Sequence, residues 1–446
     1  ETHPTFLHGP DTTRRSHLGA WGAGGHARSI AHYGPLQDAG RMPYDLDNPL
    51  VISTWDAARD AYRSKHLRQG LYDGGVVMEN VLINLHGIEH RDRRRLENPL
   101  FRRDVLLDYE RDAFPAVLKA RLEPCLRHGR LELLSFGHAV MLELAAINAG
   151  VDLDIGDEAA TERLHQQLLL FIDGARILHY TGDRVAKERE VAAALAAFEQ
   201  EFIAPGIERR RALLTRRDAG EIDDSQVPRD ILRVMLENVE GLHLDPSTVV
   251  RETAFFLLTG ASTSAVALTR TLDNIFAWLE SHPEDETLLQ SDSAFVQRCV
   301  LESLRLEPIS PIGARWATAD FTLADGTGVA EGDRVHIDMR AANRDPSVFG
   351  DDADEFDPNR TVPHDVPRAG VSFGHGMHHC IGQELAVGIE PGGGGTFDER
   401  LFGLVGTVIQ ELLRHHVRPD PERPPGVDEL SSRGTFSSYP VLLGGG

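Results

Sequence analysis

Cys380 stands in the run Phe373-Gly374-His375-Gly376-Met377-His378-His379-Cys380-Ile381-Gly382. A thiolate is a strong ligand for soft metal centres, and free N–H groups at a helix N-terminus favour it over the thiol. Ile381 to Ala386 reads as the start of such a helix. Three glycines within nine residues let the loop turn tightly and approach something flat and large. Two other readings compete: an inert buried cysteine, and a zinc site built from His375, His378, His379 and Cys380. Adjacent ligands in so tight a loop face one tetrahedral ion poorly, and no second Cys/His pair follows at zinc-finger spacing.

Other residues have spacings that matter for chemistry. His90 and Arg94 are four apart in His86-Gly87-Ile88-Glu89-His90-Arg91-Asp92-Arg93-Arg94-Arg95-Leu96 and share a helix face. An arginine run of this kind is usually a solvated face; on this acidic chain Arg91, Arg93 and Arg95 also offer a basic patch to an acidic partner. Glu302 and Arg305 have the i, i+3 spacing of an ion pair. In Leu258-Thr259-Gly260-Ala261-Ser262-Thr263-Ser264 the hydroxyls read as helix residues bonding back to carbonyls.

The loop resembles the haem-binding segment of the cytochromes P450, Phe-x-x-Gly-x-x-x-Cys-x-Gly, with Phe373, Gly376, Cys380 and Gly382 in place. The resemblance implies haem b with Cys380 as axial iron ligand, a thiolate that favours O–O cleavage. It implies propionate contacts from His90, Arg94, Arg315 and His378, and a proximal brace of Glu302, Arg305 and Arg360. The Thr259–Ser264 run is similar to the family's Ala/Gly-Gly-x-Asp/Glu-Thr motif, where the helix bulges beside the oxygen site. Gly260 and Thr263 match, whereas Ser262 stands where the acid belongs. By position, the resemblance places Val77, Val81, Leu168, Phe255, Phe256, Thr259, Ile312 and Phe436 around the substrate.

The elements that must hold these groups follow from periodicity. Asn48 to Ile52 reads as a short strand and Trp55 to Tyr62 as a helix. Helical spacing runs through Val105–Cys125, Leu131–Ala149, Glu158–Tyr180 and Arg184–Arg216. The longest helix expected is Pro246–Ser281, a core helix whose uncharged part, Thr253–Thr269, is short for a membrane span. Alternation from Phe321 to Ile337, with turns at Asp325-Gly326 and Glu331-Gly332, supplies strands. The helix after Cys380 is broken by Pro391-Gly392-Gly393-Gly394-Gly395, an insertion near the face where a redox partner would dock.

The chain has 446 residues, 26% of them charged, and a net charge of −23, the profile of a soluble globular protein and not of a nucleic-acid binder. Its three cysteines form no disulfide framework, which points to a reducing cytoplasm. Residues 1–40 carry no apolar run fit for a signal peptide or anchor and read as a poorly ordered lead-in. Residues 41–446 read as one mainly α domain with a smaller β-rich region.

Together these readings lead to a cytoplasmic haem-thiolate monooxygenase without a membrane anchor. It would insert one atom of O2 into a mostly hydrophobic molecule. Electrons would come from a ferredoxin or flavodoxin with its reductase, and only indirectly from NAD(P)H. Thr263, with Ser262, would serve the oxygen site. Two alternatives stand beside this: a haem-thiolate enzyme of other chemistry (peroxygenase, cyclase or dehydratase), suggested by Ser262, and a non-catalytic haem-binding partner protein.

Overall fold

The computed structural model describes residues 48–180, 182–389, 400–427 and 435–444. The expected lead-in, residues 1–40, and the Pro391–Gly395 insertion lie outside them.

Four strands form the main sheet: β1 (Leu50–Ile52), β2 (Leu67–Gln69), β3 (Ile312–Ala317) and β4 (Arg334–Asp338), in the order β1-β4-β3-β2. β1 runs parallel to β4, whereas β3 is antiparallel to both its neighbours. Register sets Gln69 opposite Arg315, and Arg315 opposite Val335. The alternating segment expected from Phe321 onward forms a small two-stranded ribbon, Phe321–Thr322 with Gly328–Val329, and then β4.

The labelled helices are α1 (Trp55–Arg63), α2 (Gly87–Glu97), α3 (Phe114–His128), α4 (Leu133–Ala149), α5 (Glu158–Ala175), α6 (Arg184–Phe198), α7 (Ile231–Asn238), α8 (Pro246–Ser281), α9 (Ser293–Leu306), α10 (Gln383–Val387) and α11 (Leu404–Arg414). α8 has the expected bounds. Asp245 caps it by accepting the Ser247 N–H, and Pro246 occupies its first turn, where a missing N–H costs nothing. Its 36 residues span roughly 54 Å at the α-helical rise. Most of its length is buried between two apolar cores, one shared with α3, α4, α9 and α11, the other with α5, α6 and α7. A third core fastens α1 to the sheet.

The helix after Cys380 stops at Val387 and resumes at Leu404, whereas the sequence reads as resuming a helix near Arg400-Leu401. Gly388 and Gly403 both have positive φ (75° and 78°), and a side chain on either would collide with the backbone of the other strand of the break. Gln297 donates to the Val387 carbonyl (2.7 Å) and to that of Leu401 (3.2 Å), stitching the two ends together.

Candidate haem site

The loop before Cys380 is a cradle built on α1. Gly374 and Gly376 adopt φ of 66° and 69°, and a Cβ at Gly376 would lie 2.5 Å from the Tyr62 carbonyl oxygen. That position therefore packs on α1 and does not border the cavity, whereas Phe373, His378, Cys380 and Gly382 do. The Cys380 N–H donates to the Phe373 carbonyl at 2.9 Å, which closes the loop. Cys380 has accessible surface because its sulfur opens onto the cavity. The surrounding protein nevertheless pushes the thiol up by burial, while the N–H groups of Gly382 and Gln383 and the charge of Arg94 pull it down.

A cavity of about 310 Å³ lies over this sulfur. α8 contributes Phe256, Thr259, Gly260, Thr263, Ser264 and Ala267, the i, i+3, i+4, i+7 face of one helix. Ser262, displaced by one residue from that face, does not line the cavity, and its hydroxyl donates to the Leu258 carbonyl at 2.7 Å. Ser262 is thus corrected from an oxygen-site residue to a mid-helix side chain bonded back to the preceding turn. Thr263 does face the cavity, with its hydroxyl donating to the Thr259 carbonyl at 2.6 Å. The helical bulge implied by the resemblance is absent, since α8 is α-helical throughout.

Cations and imidazoles gather at one rim. His90 on α2 is buried and neither ring nitrogen has a hydrogen-bond partner; the same holds for Nε2 of His378, whose ring centroid is 4.3 Å away. Burial and nearby cationic groups lower His90 to about 4 and His378 to about 2. Arg315 on β3 is buried, donates from Nη1 to the Ala314 carbonyl at 2.9 Å and to Gln69 Oε1 at 3.4 Å, and lies over the Tyr62 ring. Among the described residues neither Arg315 nor Arg94 forms an ion pair with a carboxylate, and burial lowers both guanidinium pKa values. Arg315 is buried without a carboxylate partner, which is expensive, so this rim asks for anionic groups from a ligand; half-buried Arg94 also feels the charges of Glu97 and Cys380.

The residues fit a large flat apolar ligand carrying acidic groups at one edge. Cys380 would supply it a soft sulfur donor, mostly apolar walls would enclose it, and Arg94, Arg315, His90 and His378 would meet its acidic edge. No group of three or more His, Cys, Asp or Glu among the described residues is arranged to hold a metal ion by itself, which disfavours the zinc reading.

Of the other expected pocket residues, Phe255, Phe256, Thr259 and Ile312 line the cavity. Val77, Val81 and Leu168 do not; they are fully buried in the core shared with α5 and α6, where apolar side chains on a packed segment gain most. Phe436 is corrected too, because its ring packs against Tyr439 with centroids 4.8 Å apart. The brace is assembled: Arg305 makes two bonds to Glu302 (2.7 and 2.8 Å) and Arg360 adds a third at 3.0 Å.

Sequence reading missed Tyr62 and Gln69, which seat Arg315, and it misplaced Arg93: expected in a basic patch with Arg91 and Arg95, Arg93 is turned inward and buried beside Glu97 and Glu252, and donates to Glu252. The i, i+4 spacing of Arg93 and Glu97 was the available signal.

The cytochrome P450 family model matches residues 162–387. The chain belongs to the cytochrome P450 family. Haem b is the family's cofactor, and the donor set above accommodates it. This P450 is 35% identical over 144 residues to cytochrome P450 105A3 of Streptomyces carbophilus, covering 32% of each chain. It is 25% identical over 430 residues to leukotriene-B4 omega-hydroxylase 3 of Mus musculus, covering 86% of this chain and 76% of that one. Matches to three of the curated relatives span from about a third to about half of those proteins' length. Among solved structures, P450BioI in complex with an acyl carrier protein ligated to hexadec-9Z-enoic acid superposes with a TM-score of 0.66 at 17% identity, covering 93% of this chain and 97% of that one. No helix among the described residues is long and apolar enough to cross a membrane.

Proposed function

We propose that this P450 is a haem-thiolate monooxygenase acting on a largely apolar organic molecule, with Cys380 as the iron ligand and residues 41–446 as one catalytic domain. The observation that carries this reading is Cys380 bordering a cavity lined by α8 and rimmed by two guanidinium groups, Arg94 and Arg315, and by the unpartnered imidazole nitrogens of His90 and His378. When bound, haem supplies the activation of dioxygen and the oxidation of a C–H bond.

The protein's own residues bind, orient and shield. Arg94, Arg315, His90 and His378 hold the two propionates through charge-assisted hydrogen bonds. Glu302, Arg305 and Arg360 keep the proximal segment rigid, which would hold Cys380 in place as a ligand. Phe255, Phe256, Leu82, Ile83 and Ile312 take the substrate's apolar surface and exclude water. The Thr263 proton is committed to the Thr259 carbonyl, so Oγ1 offers lone pairs to the pocket and orients a donor such as water there. Electrons come from an acidic ferredoxin or a flavodoxin with its reductase, docking near exposed Arg91 and Arg95, and the protein works in the cytoplasm. Acyl chains are one apolar class suggested by the P450BioI complex with its hexadec-9Z-enoic acid ligated carrier protein.

A second reading, peroxygenase or another haem-thiolate chemistry, is favoured by one observation: the cavity face of α8 bears hydroxyls and no acid. The deciding experiment is product formation with a reductase chain against product formation with hydrogen peroxide alone. The monooxygenase reading expects turnover with the reductase chain; turnover only with peroxide replaces it with the second reading.

A further inference from the structure

A buried charged cluster sits where α8, α2 and the cavity-lining stretch 71–84 meet. Glu252 on α8 has no exposed surface. Its Oε1 accepts the Leu82 N–H at 3.0 Å, and its Oε2 accepts from Arg93 Nη1 of α2 at 2.5 Å. Beside it, Glu97 of α2 is equally buried and neither of its carboxyl oxygens has a hydrogen-bond partner. The preceding residue of α8, Arg251, pairs with Glu79 at 2.8 Å. Two consecutive α8 residues therefore grip the stretch at Glu79 and Leu82, on either side of Asn80, which has φ of 58°. Leu82, itself gripped, and the next residue Ile83 line the cavity, and Arg93 lies on the same helix as His90 and Arg94.

We propose that Glu252 is a positioning residue for ligand admission: it latches the stretch 79–83 over the cavity, and opening of that stretch is linked to proton release. The inference rests on the reading of this cavity as the substrate pocket. Burial raises Glu97 well above the usual carboxylate range, with the Glu252 charge adding to it, and burial raises Glu252 to about 7 against the opposing pull of Arg93 and Leu82. Other charges on the packed elements are engaged elsewhere: Arg233 of α7 with Asp224 and Glu237, Glu143 of α4 with Arg121, Asp173 of α5 with Lys187 of α6. Arg94 and Arg93 are the cations acting on Glu97.

The sign follows from linkage. A closed stretch holds Glu252 with a raised pKa, whereas an opened one hydrates it and returns it toward its ordinary value near 4.5. The closed form thus binds the extra proton between these two values, and opening becomes easier as pH rises through that window, levelling off above about 7.

The test is amide hydrogen exchange of residues 76–84 in the holoenzyme from pH 5.5 to 8, corrected for intrinsic rates. It is paired with the association rate of tert-butyl isocyanide, an uncharged haem ligand, to the reduced enzyme. Opening should grow by up to about tenfold per pH unit below 7 in the wild type, with the association rate rising in step. Glu252→Gln should flatten both profiles. Arg93→Met removes the cation that holds the carboxyl down, so its plateau should move to higher pH; this variant keeps the test decisive if Glu252→Gln does not fold. Wild-type exchange that is flat with pH, or a Glu252→Gln profile that keeps the wild-type slope, overturns the latch. Failure of the haem-thiolate reading would show separately, as loss of the red-shifted carbon monoxide spectrum with the exchange profile intact.

Discussion

Arg315 lies with its guanidinium carbon 5.0 Å from the Tyr62 ring centroid, and it donates hydrogen bonds to the Ala314 carbonyl and the Gln69 side-chain amide oxygen, not to a carboxylate. Its charge is supported on one side by a π face and left open toward the cavity. Together with Arg94 it makes cofactor retention the measurable consequence. Arg315→Ala and Arg94→Ala should each weaken haem binding by about 2 kcal/mol, the worth of a charge-assisted bond. Haem transfer to an excess of apomyoglobin measures this, and unchanged transfer rates in both variants would count against the propionate assignment.

Cys380→Ser should abolish the red-shifted Soret band of the ferrous carbon monoxide complex while leaving the far-UV circular dichroism in place. A serine oxygen is a harder, less electron-donating ligand than a thiolate. Persistence of the band in the variant would mean that another group ligates the iron.

Glu302 is the shared acceptor of Arg305 and Arg360, all three nearly inaccessible. Glu302→Gln leaves two buried guanidinium groups short of a counter-charge and should cost roughly 3–5 kcal/mol of stability. Urea unfolding of the holoenzyme checks this. A loss under 1 kcal/mol would show that Asp352 and the carbonyl partners of the arginines suffice.

His138 of α4 and His165 of α5 face one another with ring centroids 5.2 Å apart, and burial lowers both, His138 to about 4. Their folded pKa values lie below the unfolded one, so the unfolded chain binds more protons and stability falls as pH drops from about 6.5 toward 4. For His138 the loss should be on the order of 2 kcal/mol across that window. His138→Leu should reduce the slope of stability against pH there; an unaltered slope would assign acid sensitivity to other groups.

The cysteine loop, the Glu302 brace and the bounds of α8 were legible because each depends on local signals: fixed glycine spacing, an i, i+3 pair, a capped apolar run. What escaped depended on which face of an element the fold buries. Val77 and Leu168 are apolar residues whose sequence neighbourhood cannot say whether they meet a cavity or another helix. Glu252 looked like the charged end of a buried stretch, and only the approach of Arg93 and Leu82 makes it a junction. Ser262 was misplaced for a related reason: the motif supplied a role, but the 100° step between successive helical residues took the side chain off the cavity face.

That step sets the outcome of a direct test at Ser262 and Thr263. Thr263 borders the pocket and is the residue of this pair proposed to serve it, while the Ser262 hydroxyl is turned away and donates to the Leu258 carbonyl. Ser262→Ala should therefore leave product formed per reduced nicotinamide consumed close to wild type. Ser262→Asp should not improve it either, since its carboxylate would project from the same off-cavity position. Thr263→Ala removes a hydroxyl oxygen proposed to orient water there, so more of the reducing equivalents should escape as peroxide. A surrogate ferredoxin and reductase with a spectrally identified apolar substrate supplies the measurement. If Ser262→Asp raised coupling while Thr263→Ala left it untouched, the proton path would run along the Ser262 side of α8, and the role given to Thr263 would be wrong.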